Sequence, residues 1–180
     1  MNKKTLVPLY FGGISGLLSW IPVVLKWPYS DLFPGVVFAL SILIFFSTAL
    51  NYKISYIKQV IFLAVSIIAY EAAFRFVIYC FENNSFDSTL LIFFIAGVIG
   101  SLILSLGAKL LLGVFNFEQV SYLPILGGML GWAFWLPGLL PGYWKYDQES
   151  NFNLLSLYLV WQTGMLIVMN KLINKNNVRI

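Results

Sequence analysis

Six long apolar runs alternate with five short polar breaks along the chain. The runs fall at about 6–25, 32–50, 57–80, 89–112, 121–140 and 152–172, and the breaks near KWPYSD, NYKISY, ENNSFD, NFEQ and YWKYDQESN. A helix rises 1.5 Å per residue, so ~20 apolar residues are needed to cross the hydrocarbon core of a bilayer. None of the runs has the apolar–polar alternation of a barrel strand, and only helices or closed barrels satisfy every backbone group in lipid. The pattern predicts an all-α membrane protein, a compact bundle of about six transmembrane helices forming one polytopic domain over residues 1–180. The fourth run continues past Lys109 to Phe115, which fits either a tilted helix or an interfacial turn. The first run has the basic start of a secretory signal. It is too long for one, and Trp20 and Pro22 stand where a small-residue cleavage site would be, so it reads as a retained span.

Composition agrees with this pattern. The chain is 60% hydrophobic and 10% charged, with mean hydropathy +0.86, whereas a soluble domain is about half apolar and about a quarter charged. The surplus apolar surface needs lipid as its solvent. The net charge of +4 comes from bases scattered at segment ends, not gathered in a patch, so nucleic acid is not an expected partner. With the N-terminus inside, Lys3, Lys4, Lys53, Lys58, Lys109, Lys171, Lys175 and Arg179 fall on the inner side with Glu118, and Lys26, Lys145 and the intramembrane Arg75 remain on the outer. Asp31, Glu82, Asp87, Asp147 and Glu149 fall outside. This skew predicts both termini inside, and the Lys-, Asn- and Ile-rich composition points to a bacterial inner membrane.

The absence of histidine and the single cysteine, Cys80, remove imidazole acid–base chemistry, the usual zinc sites, histidine-ligated haem and an intrachain disulfide. No cofactor or metal is expected. No serine–lysine pair, phosphate-binding glycine loop or acid pair is visible, so a lipid-modifying enzyme would have to work with Glu71 and little else.

A phrase recurs. GGISGLLSWIP from Gly12 to Pro22 and GGMLGWAFWLP from Gly127 to Pro137 both fit GGxxGxxxWxP. Under the topology above both helices run outward, which suggests that helices one and two correspond to five and six as parallel repeats. Small residues three or four apart let helices approach closely in lipid. Gly12 and Gly16, extended by Ser15 and Ser19, make one such face. Gly127 and Gly131 make a second, and Gly97, Ser101 and Ser105 a third. These faces pack the bundle internally, or the first docks a partner membrane protein.

Glu71 and Arg75 stand inside the third run, with Glu71 roughly 14 Å below its outer end by helical rise. A lone charge at such depth costs about 2.5–3.5 kcal/mol on insertion scales. Their i,i+4 spacing lets them pair and neutralise each other; the alternative reading is that Glu71 faces a polar cavity and binds a solute. Gln162, with Tyr158 one turn before it, reaches similar depth in the sixth run, where a hydrogen bond to the charged pair would tie helices three and six. At the outer ends, Trp20, Pro22 and Trp27, and again Trp135, Pro137 and Trp144, form an aromatic and proline collar. An interfacial belt accounts for the indoles, and a shallow outward pocket would account for the prolines beside them.

The leading expectation is a small membrane protein that binds or helps move a small solute through a site open to the outside. In size and number of spans the chain is similar to the substrate-capturing subunits of energy-coupling-factor transporters, whose first helix also meets a partner through small residues. The likeness is one of architecture and carries no motif. The rivals are an assembly subunit that uses the Gly/Ser faces and a lipid-modifying enzyme.

Overall fold

The computed structural model of the chain describes residues 3–49, 51–83, 88–113, 115–139 and 151–177. Six α-helices account for most of them: α1 (Lys3–Val24), α2 (Phe33–Ala49), α3 (Tyr56–Glu82), α4 (Thr89–Gly107), α5 (Phe117–Gly131) and α6 (Asn151–Asn177). Each helix packs on its neighbours in sequence, and α6 closes on α1, so the six form an antiparallel ring. The end where α1 begins and α6 finishes is called proximal here, and the opposite end distal.

Three helical stretches, Leu6–Val24, Tyr56–Glu82 and Thr89–Leu112, are long and apolar enough to cross a membrane, and α2 is apolar but shorter. This marks the chain as a multi-pass membrane protein. The outward faces agree, for Leu17, Ile21, Ile44, Ile68, Leu91 and Leu102 are all exposed. A surface of that kind suits lipid rather than water.

Two helix ends depart from regular α geometry for identifiable reasons. Beyond Gly107, α4 widens into one π-helical turn (Ala108–Leu112) and stops at Gly113, whose φ of 68° lies in the left-handed region that glycine enters without penalty. The Tyr52 hydroxyl donates to the Leu112 carbonyl there, satisfying an acceptor left over by the helix end. The fourth run thus ends in a turn. At the distal end α5 gives way to a 3₁₀ segment, Trp132–Leu139. In a continued α-helix the Ala133 carbonyl would look to residue 137, a proline with no N–H. The Ser156 hydroxyl from α6 donates to that oxygen instead, at 2.7 Å. The start of α5 is fixed by a capping box in which Asn116 and Gln119 each accept the other's backbone N–H, at 2.8 and 3.0 Å.

Glycines set the helix seams. A Cβ added to Gly12 would strike the backbone of Thr163, and one added to Gly16 would lie 2.7 Å from the Leu159 Cα. Gly12 and Gly16 of α1 therefore face α6. On α4, a Cβ at Gly97 would strike the Gly127 carbonyl, while Gly127 meets Ser101 and Gly131 meets Phe93. Ser105 is also buried and bonds within its own helix to the Leu102 carbonyl at 3.0 Å. Backbones this close make up in dispersion contacts and weak polar contacts for the hydrophobic drive that lipid does not supply.

The two copies of the repeated phrase share this packing role but not their conformation. The first stays α-helical through Pro22, whereas the second becomes 3₁₀ from Trp132. The first meets α6 and the second meets α4.

Candidate functional site

Gln162 is the polar centre of the bundle. Its side chain is fully buried, and its two amide hydrogens go to the Ser19 hydroxyl and the Tyr70 hydroxyl, each at 2.9 Å. Its carbonyl accepts from the Ser15 hydroxyl, and Ser19 donates on to the Ser15 carbonyl at 2.8 Å. One glutamine therefore clasps α6 to α1 and α3, with every side-chain donor used. The expected bond from Gln162 to the Glu71–Arg75 pair is not formed, since its partner on α3 is Tyr70. Consecutive residues on a helix point about 100° apart, so the face that presents Tyr70 inward turns Glu71 aside.

Glu71 and Arg75 do pair with each other, through Arg75 Nε and Glu71 Oε2 at 3.1 Å. The Arg75 side chain is 69% exposed and that of Glu71 23%. Neither is in the wall of the cavity between the distal helix ends. Gly35, at the start of α2, sits against Ile67 of α3, and the Ser66 hydroxyl donates to the Gly35 carbonyl at 2.8 Å. Glu71 lies one turn distal to Ile67, which puts it level with the residues just before α2.

The late start of α2 leaves the distal half of the ring short of one helix. The space is a cavity of about 640 Å³. Small residues open it: Ala69 and Ala73 on α3, and Ala96, Gly97 and Gly100 on α4. Aromatic rings make its walls, chiefly Tyr70, Phe74, Tyr158 and Trp161. Phe38, Tyr70 and Trp161 form a cluster with ring centroids 5.4–6.2 Å apart, and the Trp161 indole N–H donates to the Gly127 carbonyl at 3.1 Å. That cluster separates the cavity from the filled proximal half. Because the Tyr70 oxygen already accepts from Gln162, its own hydrogen remains to be donated at the cavity wall.

The polar part of the lining comes from the connection between α1 and α2, through Lys26, Ser30 and Asp31. This connection is a folded piece of chain. Lys26 N–H donates to the Val23 carbonyl and Trp27 N–H to the Pro22 carbonyl, at 3.1 and 3.0 Å, which is the Schellman pattern that ends a helix. Its left-handed position is usually glycine, but here it is Lys26 at φ 51°. Tyr29 is left-handed as well, at φ 61°, and Ser30 and Leu32 N–H groups close turns onto Trp27 and Tyr29. The Asp31 carboxylate is close enough to Tyr158 to act on its hydroxyl electrostatically.

Of the residues that sequence reasoning singled out for a site, Tyr158 lines the cavity, and Gln162 reaches it through Tyr70. Trp20 is half-buried, Pro22 is buried and Trp27 is exposed with its ring edge-on to Phe33, and none of the three is in the cavity wall. Trp144, and the side chains of Trp135 and Pro137, lie outside the described residues. Sequence reasoning missed Tyr70, Trp161, Lys26 and Asp31. The signal for the last two was present in KWPYSD, where opposite charges sit beside an indole and a proline, but it served only as a topology marker. Comparisons with protein-family models, with curated proteins and with solved structures give no match for this chain.

Proposed function

We propose that this chain is a six-span protein of a bacterial inner membrane, with both termini inside, whose distal cavity binds a small solute from the outer side and holds it for transport. The observation that carries this reading is the cavity itself, about 640 Å³ in volume and walled by aromatic rings. Its size falls in the usual range for small-molecule sites, ~300–1,000 Å³, and so does its make-up, mostly apolar with a few polar groups. The orientation rests on the distribution of Lys and Arg, which favours an outer position for the distal end. The clasp at Gln162 supports the site from below by holding Tyr70 in a single position. The Glu71–Arg75 pair stands outside the cavity wall and serves the bundle, not the solute.

The test is to purify the protein in lipid nanodiscs and look by native mass spectrometry for a retained small molecule, beside an Ala73→Phe variant whose ring would enter the cavity. The wild type should carry a solute that the variant has lost, with thermal stability of the two alike. A wild type that carries nothing, and is stabilised by no member of a solute library to a greater degree than the variant, would overturn the proposal.

A further inference from the structure

The chemical class of the solute can be read from the polar side of the cavity, granted that the cavity is a binding site. Lys26 and Asp31 both belong to its wall. Among the described residues the salt bridge formed is Glu71–Arg75, and Lys26 and Asp31 do not pair with each other. Two opposite charges five residues apart on a folded connection, Lys26 exposed at the cavity rim and Asp31 half-buried beside it, are left unjoined and present a dipole to whatever enters. The backbone holds Lys26 there at some cost, since a lysine occupies a left-handed position that glycine would take freely. Strain of this kind is retained where the side chain is wanted. Ser30, between the two, adds a hydroxyl to the same edge.

A cation alone would meet Asp31 and be repelled by Lys26, and an anion alone would meet the reverse. A neutral solute would use neither charge, and would leave the half-buried Asp31 carboxylate beside an apolar body. A zwitterion satisfies both, with its carboxylate toward Lys26 and Ser30 and its ammonium toward Asp31, in charge-assisted hydrogen bonds. The ammonium would also lie near Tyr158, where an aromatic face favours a cation. The remainder of the solute faces Tyr70, Phe74 and Trp161, which suits a planar apolar group. We infer that the cavity takes a small zwitterion carrying an aromatic body, of the kind represented by an aromatic amino acid.

Four probes that share one indole ring test this on the full chain in nanodiscs, by calorimetry at neutral pH: tryptophan (zwitterion), tryptamine (cation), indole-3-propionate (anion) and 3-methylindole (neutral). Tryptophan should bind at least about 10-fold more tightly than each of the others. Asp31→Asn should erase its advantage over indole-3-propionate while leaving its advantage over tryptamine, and Lys26→Gln should do the opposite. This crossover cannot come from a variant that merely folds badly, because each variant retains one preference. If all four probes bind alike and Ala73→Phe blocks them all, the cavity reading stands and the zwitterion inference fails. If one singly charged probe matches tryptophan, the inference fails in the same way. If no probe binds, or if Ala73→Phe binds them as well as the wild type does, the inference fails together with the site.

Discussion

The two halves of the bundle are built from similarly apolar helices, yet one is solid and the other hollow. In the proximal half Phe45, Phe46, Phe62, Met165 and Met169 are fully buried and fill the ring. In the distal half the same α3 and α4 turn alanines and glycines inward. The helix that would fill the space, α2, has already given way to the connection that carries Lys26 and Asp31. Side-chain volume and the axial start of one helix distinguish the halves. Interiors tolerate little empty volume for its own sake, since a void forfeits the contacts its lining would make. A cavity kept open by five small residues in two helices, with rigid rings around it, is therefore a feature in need of a purpose.

The sharpest way to break the comparison is to truncate one ring in each half. Phe46→Ala in the solid half should cost about 3–5 kcal/mol, the usual range for a buried aromatic. Phe74→Ala, which lines the hollow and is 42% exposed, should cost under about 1 kcal/mol, because few contacts are lost. Reversible unfolding by SDS titration in mixed micelles would measure both, and equal costs would mean that the distal space is not open in the membrane.

A middle-sized effect is expected at the boundary between the halves. Gln162→Leu removes three buried hydrogen bonds, but Ser15 and Ser19 keep their own backbone acceptors at the Gly12 and Ser15 carbonyls. A loss of about 1–2 kcal/mol is expected, given that hydrogen bonds between membrane helices average ~0.6 kcal/mol each. Because the Tyr70 hydroxyl is also released, solute affinity should fall together with stability. A variant of unchanged stability would show that the clasp is not formed.

The smallest effect should come from Arg75→Ala, at under about 1 kcal/mol in the same unfolding assay, because an i,i+4 pair whose arginine is largely exposed contributes little. Solute binding should be unchanged, since neither residue is in the cavity wall. Lost binding in a stable Arg75→Ala protein would return the charged pair to the site.

Much of the architecture was legible in the residues. The apolar runs locate all six helices, with ends that match within a few residues except where α4 and α5 change winding. Gly12, Gly16, Gly97, Ser101, Gly127 and Gly131 stand at helix seams. The site was far less legible. Charge at depth drew attention to Glu71, which pairs on the flank, while its neighbour Tyr70 carries the polar link inward. Lys26 and Asp31 looked like loop charges and are cavity lining.

The division has a physical basis. Whether a stretch forms a helix, where it stops and which of its faces is smooth are local properties, decided by propensity, by proline and glycine, and by a 3.6-residue period within one segment. Which residue of one helix meets which residue of another depends on rotation and axial offset between helices, and those are settled by the sum of contacts over the whole ring. An offset that starts α2 level with Ala69 rather than a few turns higher is invisible in either helix alone, yet it decides that this bundle has an open cavity at its distal end.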